Sequence, residues 1–184
     1  MIKVNEFNRI EYISEYKVLK TLYLGNLSQV YLVESRSGKT FILKAIKNSY
    51  NIKRIINELN ILRVLNKHKN ISRLNHVFKD SNVYFFLFDY YKDGDLKKIV
   101  KKTGIIEENE IYLILKDILN VLKYLRKVNI IHKDIKAENI FKDKNSYILG
   151  DWGLAENKSM IRTLHIKSDD KIIAPEVFKG VYSF

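Results

Sequence analysis

Cysteine is absent from this chain of 184 residues, which excludes a disulfide framework and thiolate chemistry and fits a reducing compartment. Proline occurs once and glycine 7 times; no repeat, low-complexity tract or linker divides the sequence. No apolar run nears the roughly 20 residues that a membrane span needs. The best, residues 83–88, is the size of a strand. The opening Met-Ile-Lys-Val-Asn-Glu-Phe has neither the apolar core of a signal peptide nor the second-position glycine of a myristoylation site. A soluble intracellular protein, cytoplasmic or nuclear, is therefore expected, with no membrane association.

What is present has a globular balance, 46% hydrophobic and 29% charged. Apolar residues run through the whole length, which a disordered chain would not show. Such a length suits one compact domain, or two small lobes sharing an interface. Lys and Arg number 33 against 21 Asp and Glu, a net charge of +12. Gathered into a patch, that excess would attract nucleic acid, anionic lipid or acidic substrates. Here the lysines are scattered through a Lys-, Asn- and Ile-rich sequence, so a nucleic-acid partner is not expected.

The first ninety residues read mostly as strands: Tyr16–Leu24, 30–34 and 40–46, then 74–78 and Val83–Asp89. Between them residues 52–66 carry Ile55, Leu59, Leu62 and Leu65 at helical spacing. The period then changes. Glu108–Lys127 places Ile111, Ile114, Ile118, Leu122 and Leu125 on one predicted face, opposite Lys116, Asn120 and Lys123. Short strand-like pieces follow at Ile130–Ile131, 140–141 and 147–149. Strands first and helices later predict an α+β chain in two lobes.

One stretch concentrates chemistry: Ile131-His132-Lys133-Asp134-Ile135-Lys136-Ala137-Glu138-Asn139. Asp, Lys and Asn fall on one loop after the long helix, at offsets of two and five. Phosphoryl transfer needs those types: a carboxylate to orient a hydroxyl, an ammonium for the moving phosphate, an amide oxygen for a metal. Further on come Gly150-Asp151-Trp152-Gly153 and Ala174-Pro175-Glu176. In order and spacing these resemble the catalytic loop, the metal-binding D-F-G (with Trp for Phe) and the A-P-E of the eukaryotic protein kinase family.

The resemblance implies an α+β two-lobed kinase-like fold: an antiparallel N-lobe sheet with one helix, residues 1–90, and a partial helical C-lobe, residues 91–184. It implies ATP and Mg²⁺ as cofactors, Asp134 and Lys136 as catalytic residues, and Asn139 and Asp151 as metal ligands. For ATP it implies Leu22, Gly25 and Val30 at the glycine-rich loop and Lys44 paired with Glu58. It adds the backbone of Asp89 and Tyr91 at the adenine edge, Asp95 at the ribose, and Phe141 with Val30, Ile42 and Leu96 around the adenine. Phe88 takes the gatekeeper place. Leu62, Leu74, His132 and Trp152 match the side chains that stack between kinase lobes. Lys47 competes with Lys44, because an Ala lies two residues before it; Lys44 is preferred for its distances from Val30 and Glu58. Successive strand residues face opposite ways, so the two lysines cannot share a direction.

Departures are as informative. The glycine-rich loop keeps one glycine of three, with Tyr23 and Ser28 at the other places. Lys133 stands where the family usually has Arg, and Lys cannot reproduce a bidentate phosphate grip. Control by phosphorylation at Ser159, Thr163 or Ser168 is accordingly expected to be weak or absent. Ser168-Asp169-Asp170-Lys171-Ile172 replaces the family's G-T-x-x-Y, which puts an Asp where a Thr hydroxyl normally meets the catalytic Asp. The sequence stops at Phe184, eight residues past Glu176, short of the family's large C-terminal helices. The first reading is a kinase acting on protein Ser or Thr, marked by Lys136, with an activating or completing protein as a further partner. The alternative is a truncated, catalytically weak or inactive binding module. A small-molecule phosphotransferase is disfavoured by Lys136 and the A-P-E run.

Overall fold

A computed structural model describes residues 2–4, 10–47 and 52–158. The Ala174-Pro175-Glu176 motif, the three candidate phosphosites, Asp169 and Phe184 lie outside these residues. The described elements fall into two units: residues up to Ile55 with Arg73–Tyr90, and residues 56–72 with those from Tyr91 onward.

The first unit is an antiparallel sheet of seven described strands, ordered β1-β2-β3-β4-β5-β7-β6. The strands are β1 (Ile2–Val4), β2 (Ile10–Ile13), β3 (Tyr16–Leu24), β4 (Ser28–Glu34), β5 (Thr40–Lys47), β6 (Leu74–Asp80) and β7 (Val83–Asp89). Alternation decides which face is buried. Tyr31, Val33, Phe41, Leu43, Ala45, Phe85 and Leu87 form one core with Ile13 and Tyr16. Tyr16, Phe78 and Phe85 stack in series, with centroids 6.3 and 4.9 Å apart. The strands at 30–34 and 74–78 are longer than the sequence pattern predicted.

Helix α1 (Ile52–Leu65) follows β5, with Ile55, Leu62 and Leu65 fully buried. In the second unit, α2 (Leu96–Thr103) escapes the apolar pattern because it is short and lysine-rich. Its ends explain it: Asp95 accepts the Lys98 N–H at 2.9 Å as N-cap, and Gly104 closes it at φ 75° with its N–H on the Val100 carbonyl. Helix α3 (Glu108–Lys127) has the predicted bounds. Its buried face is rotated from the predicted one. Asp117, Val121 and Leu125 are buried, whereas Ile111 and Leu122 are exposed along with Tyr112, Leu115 and Leu119. The rotation has a polar cause: the Asp117 carboxylate receives the Tyr147 backbone N–H at 2.8 Å.

After α3 come β8 (Ile130–Ile131), a 3₁₀ turn Ala137–Asn139, the hairpin β9 (Ile140–Asp143) and β10 (Ser146–Leu149), and β11 (Glu156–Asn157), which pairs with β8. Tyr147 is fixed at both backbone groups, since Asn70 donates to its carbonyl at 2.9 Å. Ser72 and Leu149 exchange a further backbone bond of 2.9 Å. The hairpin thus hangs between α3 and the segment after α1, and its last strand delivers Gly150 and Asp151.

Candidate active site

The loop between β8 and β9 is assembled around one carboxylate oxygen. Asp134 Oδ2 accepts from Lys136 Nζ at 2.9 Å and from Asn139 Nδ2 at 3.0 Å. The same Asn139 amide donates to the Asp134 backbone carbonyl at 2.8 Å. Both of these side-chain bonds to the carboxylate land on Oδ2. Asp134 and Asn139 are buried, and Lys136 is partly so. A buried carboxylate needs such partners, because uncompensated it would be costly. The three residues that the sequence grouped by offset are thus brought together.

Asn139 also reaches the metal loop, where its backbone carbonyl accepts the Gly150 N–H at 2.8 Å. Its side-chain nitrogen is committed to Asp134, so the amide offers its oxygen to a cation. Asp151, exposed and next to Gly150, sits at φ 58°. Lys133 stands at φ 69°. For residues with a β-carbon this left-handed backbone is sparsely used and is held by surrounding structure. No cluster of three or more His, Cys, Asp or Glu exists among the described residues. An amide oxygen and a carboxylate suit a hard cation that takes most of its shell from water and phosphate, as Mg²⁺ does. The donor set fits that ion.

His132 underpins both loops. Its Nδ1 accepts the Asp134 N–H at 3.2 Å, so the neutral ring donates from Nε2 to the Gly150 carbonyl, 3.0 Å away. Burial pushes its pKa down, favouring that neutral form. The ring meets Trp152 edge-on at 4.5 Å, and the indole N–H is directed at Ser72 Oγ, 3.2 Å away. Trp152 therefore keeps a polar partner that a Phe would not need. Leu62 is fully buried in the same unit.

Gly150 packs tightly. A β-carbon there would lie 2.8 Å from Phe141 Cε2 and 3.3 Å from Ser72 Cβ. Phe141 is held by its stack on Tyr91, centroids 5.7 Å apart, and bridges Asp95 across the backbone. Asp95, assigned by resemblance to a ribose, has both oxygens engaged on α2, with Lys98 Nζ 2.5 Å from Oδ2. Glu58 is buried on α1.

In the first unit, Val30, Lys44 and Phe86 lie side by side across β4, β5 and β7, and Ile42 pairs with Phe88 on the same face. Lys47 belongs to the opposite face, where it lines a cavity of about 40 Å³ with Tyr31, Ala45, Val83 and Phe85. The register therefore places Lys44, and not Lys47, beside Val30. Leu22 falls at an irregularity between Thr21 and Tyr23 and is exposed. Gly25 turns the β3–β4 hairpin with its N–H on the Ser28 carbonyl at 2.9 Å, and the Tyr23 ring lies over it. Asp89 donates its N–H to the Arg73 carbonyl at 3.2 Å, and Asn75 donates to its side chain at 2.9 Å.

A family model for the protein kinase domain matches residues 16–183. The chain belongs to the protein kinase family. It is 30% identical over 97% of its length to calcium-dependent protein kinase 5 of Plasmodium berghei, of which it covers 32%. It is also 30% identical over 96% of its length to a probable serine/threonine-protein kinase, the KIN1 homolog of Encephalitozoon cuniculi, covering 34%. With cAMP-dependent protein kinase type 3 of Saccharomyces cerevisiae the identity is 29% over 90% of the chain, covering 43%. The chain thus spans about a third to two fifths of these relatives. The fold is the α+β kinase fold in part, as the sequence implied, and the family as a whole uses ATP and Mg²⁺.

Several residues that hold this kinase site gave no signal in the sequence. Asn57 donates to the Ala155 carbonyl at 2.9 Å. Ser72 and Asn70 bind the hairpin and Trp152, Asp117 holds Tyr147, and Glu156 pairs with Lys133 at 3.1 Å. None of them stood out in the sequence; the one cue that could have found any is the place of the Asp117 carboxylate among Ile114, Ile118 and Val121.

Proposed function

We propose that this kinase chain transfers the γ-phosphate of ATP to the hydroxyl of Ser or Thr on a protein. The observation that carries the reading is the Asp134 carboxylate, held at Oδ2 by both Lys136 and Asn139. Fixed there, the carboxylate orients the attacking hydroxyl and takes up its proton as the phosphoryl group moves. Lys136 lies beside the same carboxylate and stabilises charge on the transferring group. Lys44 holds the α- and β-phosphates, and Glu58 belongs to the same set. Asn139 and Asp151 would hold Mg²⁺, which when bound neutralises phosphate charge. Val30 and Phe141 contact the adenine, together with the backbone of Asp89 and Tyr91. Leu22 and Gly25 cover the phosphates, and Asp95 serves the ribose through whatever its N-cap role leaves open. Lys136 supports Ser/Thr specificity, in line with the Ser/Thr name of the KIN1 homolog. Residues 1–90 and 91–184 are read as N-lobe and partial C-lobe.

The test is transfer from labelled ATP to a generic basic protein, comparing the chain with Asp134→Asn. The variant should lose about 100-fold or more in kcat, the range for removing a positioned base, with thermal melting unchanged. Equal transfer by both proteins would sink the reading. A folded protein whose melting responds to Mg-ATP but which transfers nothing would point to a nucleotide-binding module in its place.

A further inference from the structure

The β3–β4 hairpin departs from the family at two positions, and the ladder puts both on one face. Tyr23 and Ser28 stand where the family has its first and third glycines. The register slips between Thr21 and Tyr23, so Leu22 drops out of the ladder and Tyr23 takes the place opposite Val30. Directly paired residues share a face of a sheet, as do residues two apart on a strand. Val30 pairs onward with Lys44, so Tyr23 belongs to the face of Val30 and Lys44. Ser28, two residues before Val30 on β4, belongs to it as well. The Tyr23 ring runs along this face toward the hairpin tip: a β-carbon on Gly25 would lie 2.7 Å from both its Cε1 and its hydroxyl oxygen. Gly25 leaves the room that the ring fills. Its N–H is bonded to the Ser28 carbonyl at 2.9 Å, and the Leu27 carbonyl takes the Lys47 N–H at 3.0 Å. Closed into the hairpin in this way, the Gly25 N–H is not aimed at an anion. Tyr23 is 57% exposed, and its hydroxyl has no protein partner among the described residues.

We propose that Tyr23 and Ser28 form a hydroxyl lid for the ATP phosphates. Their side-chain O–H groups donate to phosphate oxygens where glycines would bring backbone N–H groups close. Glycine serves such a loop by letting the backbone approach the anion. A β-carbon at 23 and at 28 hinders that approach, and each side chain supplies a donor in exchange. A hydroxyl rotates to suit its acceptor, and a bond to a charged oxygen is stronger than one between neutral groups. Packing does not explain the ring, since an aromatic side chain more than half exposed over a glycine buries little. Lys44 shares the face, so the two hydroxyls and the ammonium address one anion. Tyr23 has the longer reach and carries the larger part.

The proposal rests on the nucleotide site of the phosphoryl-transfer reading, and its test separates the two. Calorimetric titrations with Mg-ATP, adenosine and magnesium tripolyphosphate compare the unaltered chain with Tyr23→Phe, Ser28→Ala and the double variant. Tyr23→Phe keeps the ring and should keep the melting temperature. It should weaken Mg-ATP about 10-fold, the scale of one hydrogen bond to a charged acceptor. Tripolyphosphate should weaken alongside ATP, and adenosine should bind as before. Ser28→Ala should lose less in the same direction, and the double variant should lose more than either. Unchanged Mg-ATP affinity in the double variant would overturn the proposal. So would equal losses for ATP and adenosine, which would make the ring a packing element. A chain that binds Mg-ATP but transfers nothing refutes phosphoryl transfer, while the ATP-against-adenosine split still decides the lid. Transfer by the unaltered chain, with no effect of either substitution on binding, keeps the function and removes the lid. An unaltered chain that does not bind Mg-ATP overturns both.

Discussion

Single residues in this protein carry several obligations at once. Asn139 donates twice to Asp134, receives Gly150 on its backbone carbonyl, and presents its amide oxygen where a cation fits. Shortening it to Ala would remove all the side-chain roles together. The two strand lysines separate more cleanly. Lys44 sits beside Val30 and Phe86, whereas Lys47 lines the cavity on the other face. Lys44→Met should therefore weaken Mg-ATP binding roughly 10- to 100-fold, the value of a charge-assisted contact. Lys47→Met should leave it unchanged. Titration calorimetry of both variants checks this, and equal losses would mean that neither face is privileged. Residues such as Asp134, Lys136 and Asn139 were legible in the sequence because their chemistry demands fixed types at fixed offsets. Ser72 and Asn57 were not, since each is one polar residue whose partner lies 80 or 98 positions away.

At the scale of elements, the joints between helices and the β9–β10 hairpin matter most. Glu110, in the first turn of α3, meets both Lys142 and the Tyr147 hydroxyl. The Lys142 hydrogen bond, followed by that of Tyr147, holds the Glu110 carboxyl below its usual value of 4.5. Burial, reinforced by Glu110, raises the Tyr147 phenol. For a carboxylate whose folded pKa is depressed, the stabilisation is complete above about pH 4.5 and is lost as pH falls through the folded value. Chemical denaturation between pH 6 and 3 should therefore show a shallower acid loss for Glu110→Gln than for the unaltered chain. Identical slopes would remove the carboxylate from the account. Element boundaries were legible wherever apolar periodicity was strong, as in α3 and β7. The buried face of α3 was not, because Ile and Leu occur on both its sides and Asp117 determines which one turns inward. Helix α2 depends on its caps, which no apolar pattern announces.

At the scale of the whole molecule, the described surface has an unusual stripe. Tyr112, Leu115 and Leu119 are each more than half exposed on α3, and side chains of that size in a row favour association. They contribute little to the fold where they stand. Replacing Leu115 and Leu119 together by Lys should leave the melting temperature within the small range of surface changes, about 0.5 kcal/mol in stability. It should also reduce concentration-dependent light scattering. A large drop in melting temperature would show that the stripe is covered in solution. Among the described residues no helix is long and apolar enough to cross a membrane. The kinase fold itself was legible at this scale from motif order, since three motifs in sequence leave few alternatives.

The tight seat of Gly150 reaches beyond this one molecule. Phe141 occupies the space that any side chain at 150 would need, and its stack on Tyr91 keeps it from swinging aside. A lineage could therefore enlarge residue 150 only after residue 141 had shrunk, and the reverse order would pass through a damaged ancestor. Across relatives the two positions should exchange volume, small against large, while their sum stays nearly constant. In the laboratory Gly150→Ala should be tolerated better in a Phe141→Leu background than alone, with thermal melting as the measure. Equal penalties in both backgrounds would mean that the two sites have drifted independently.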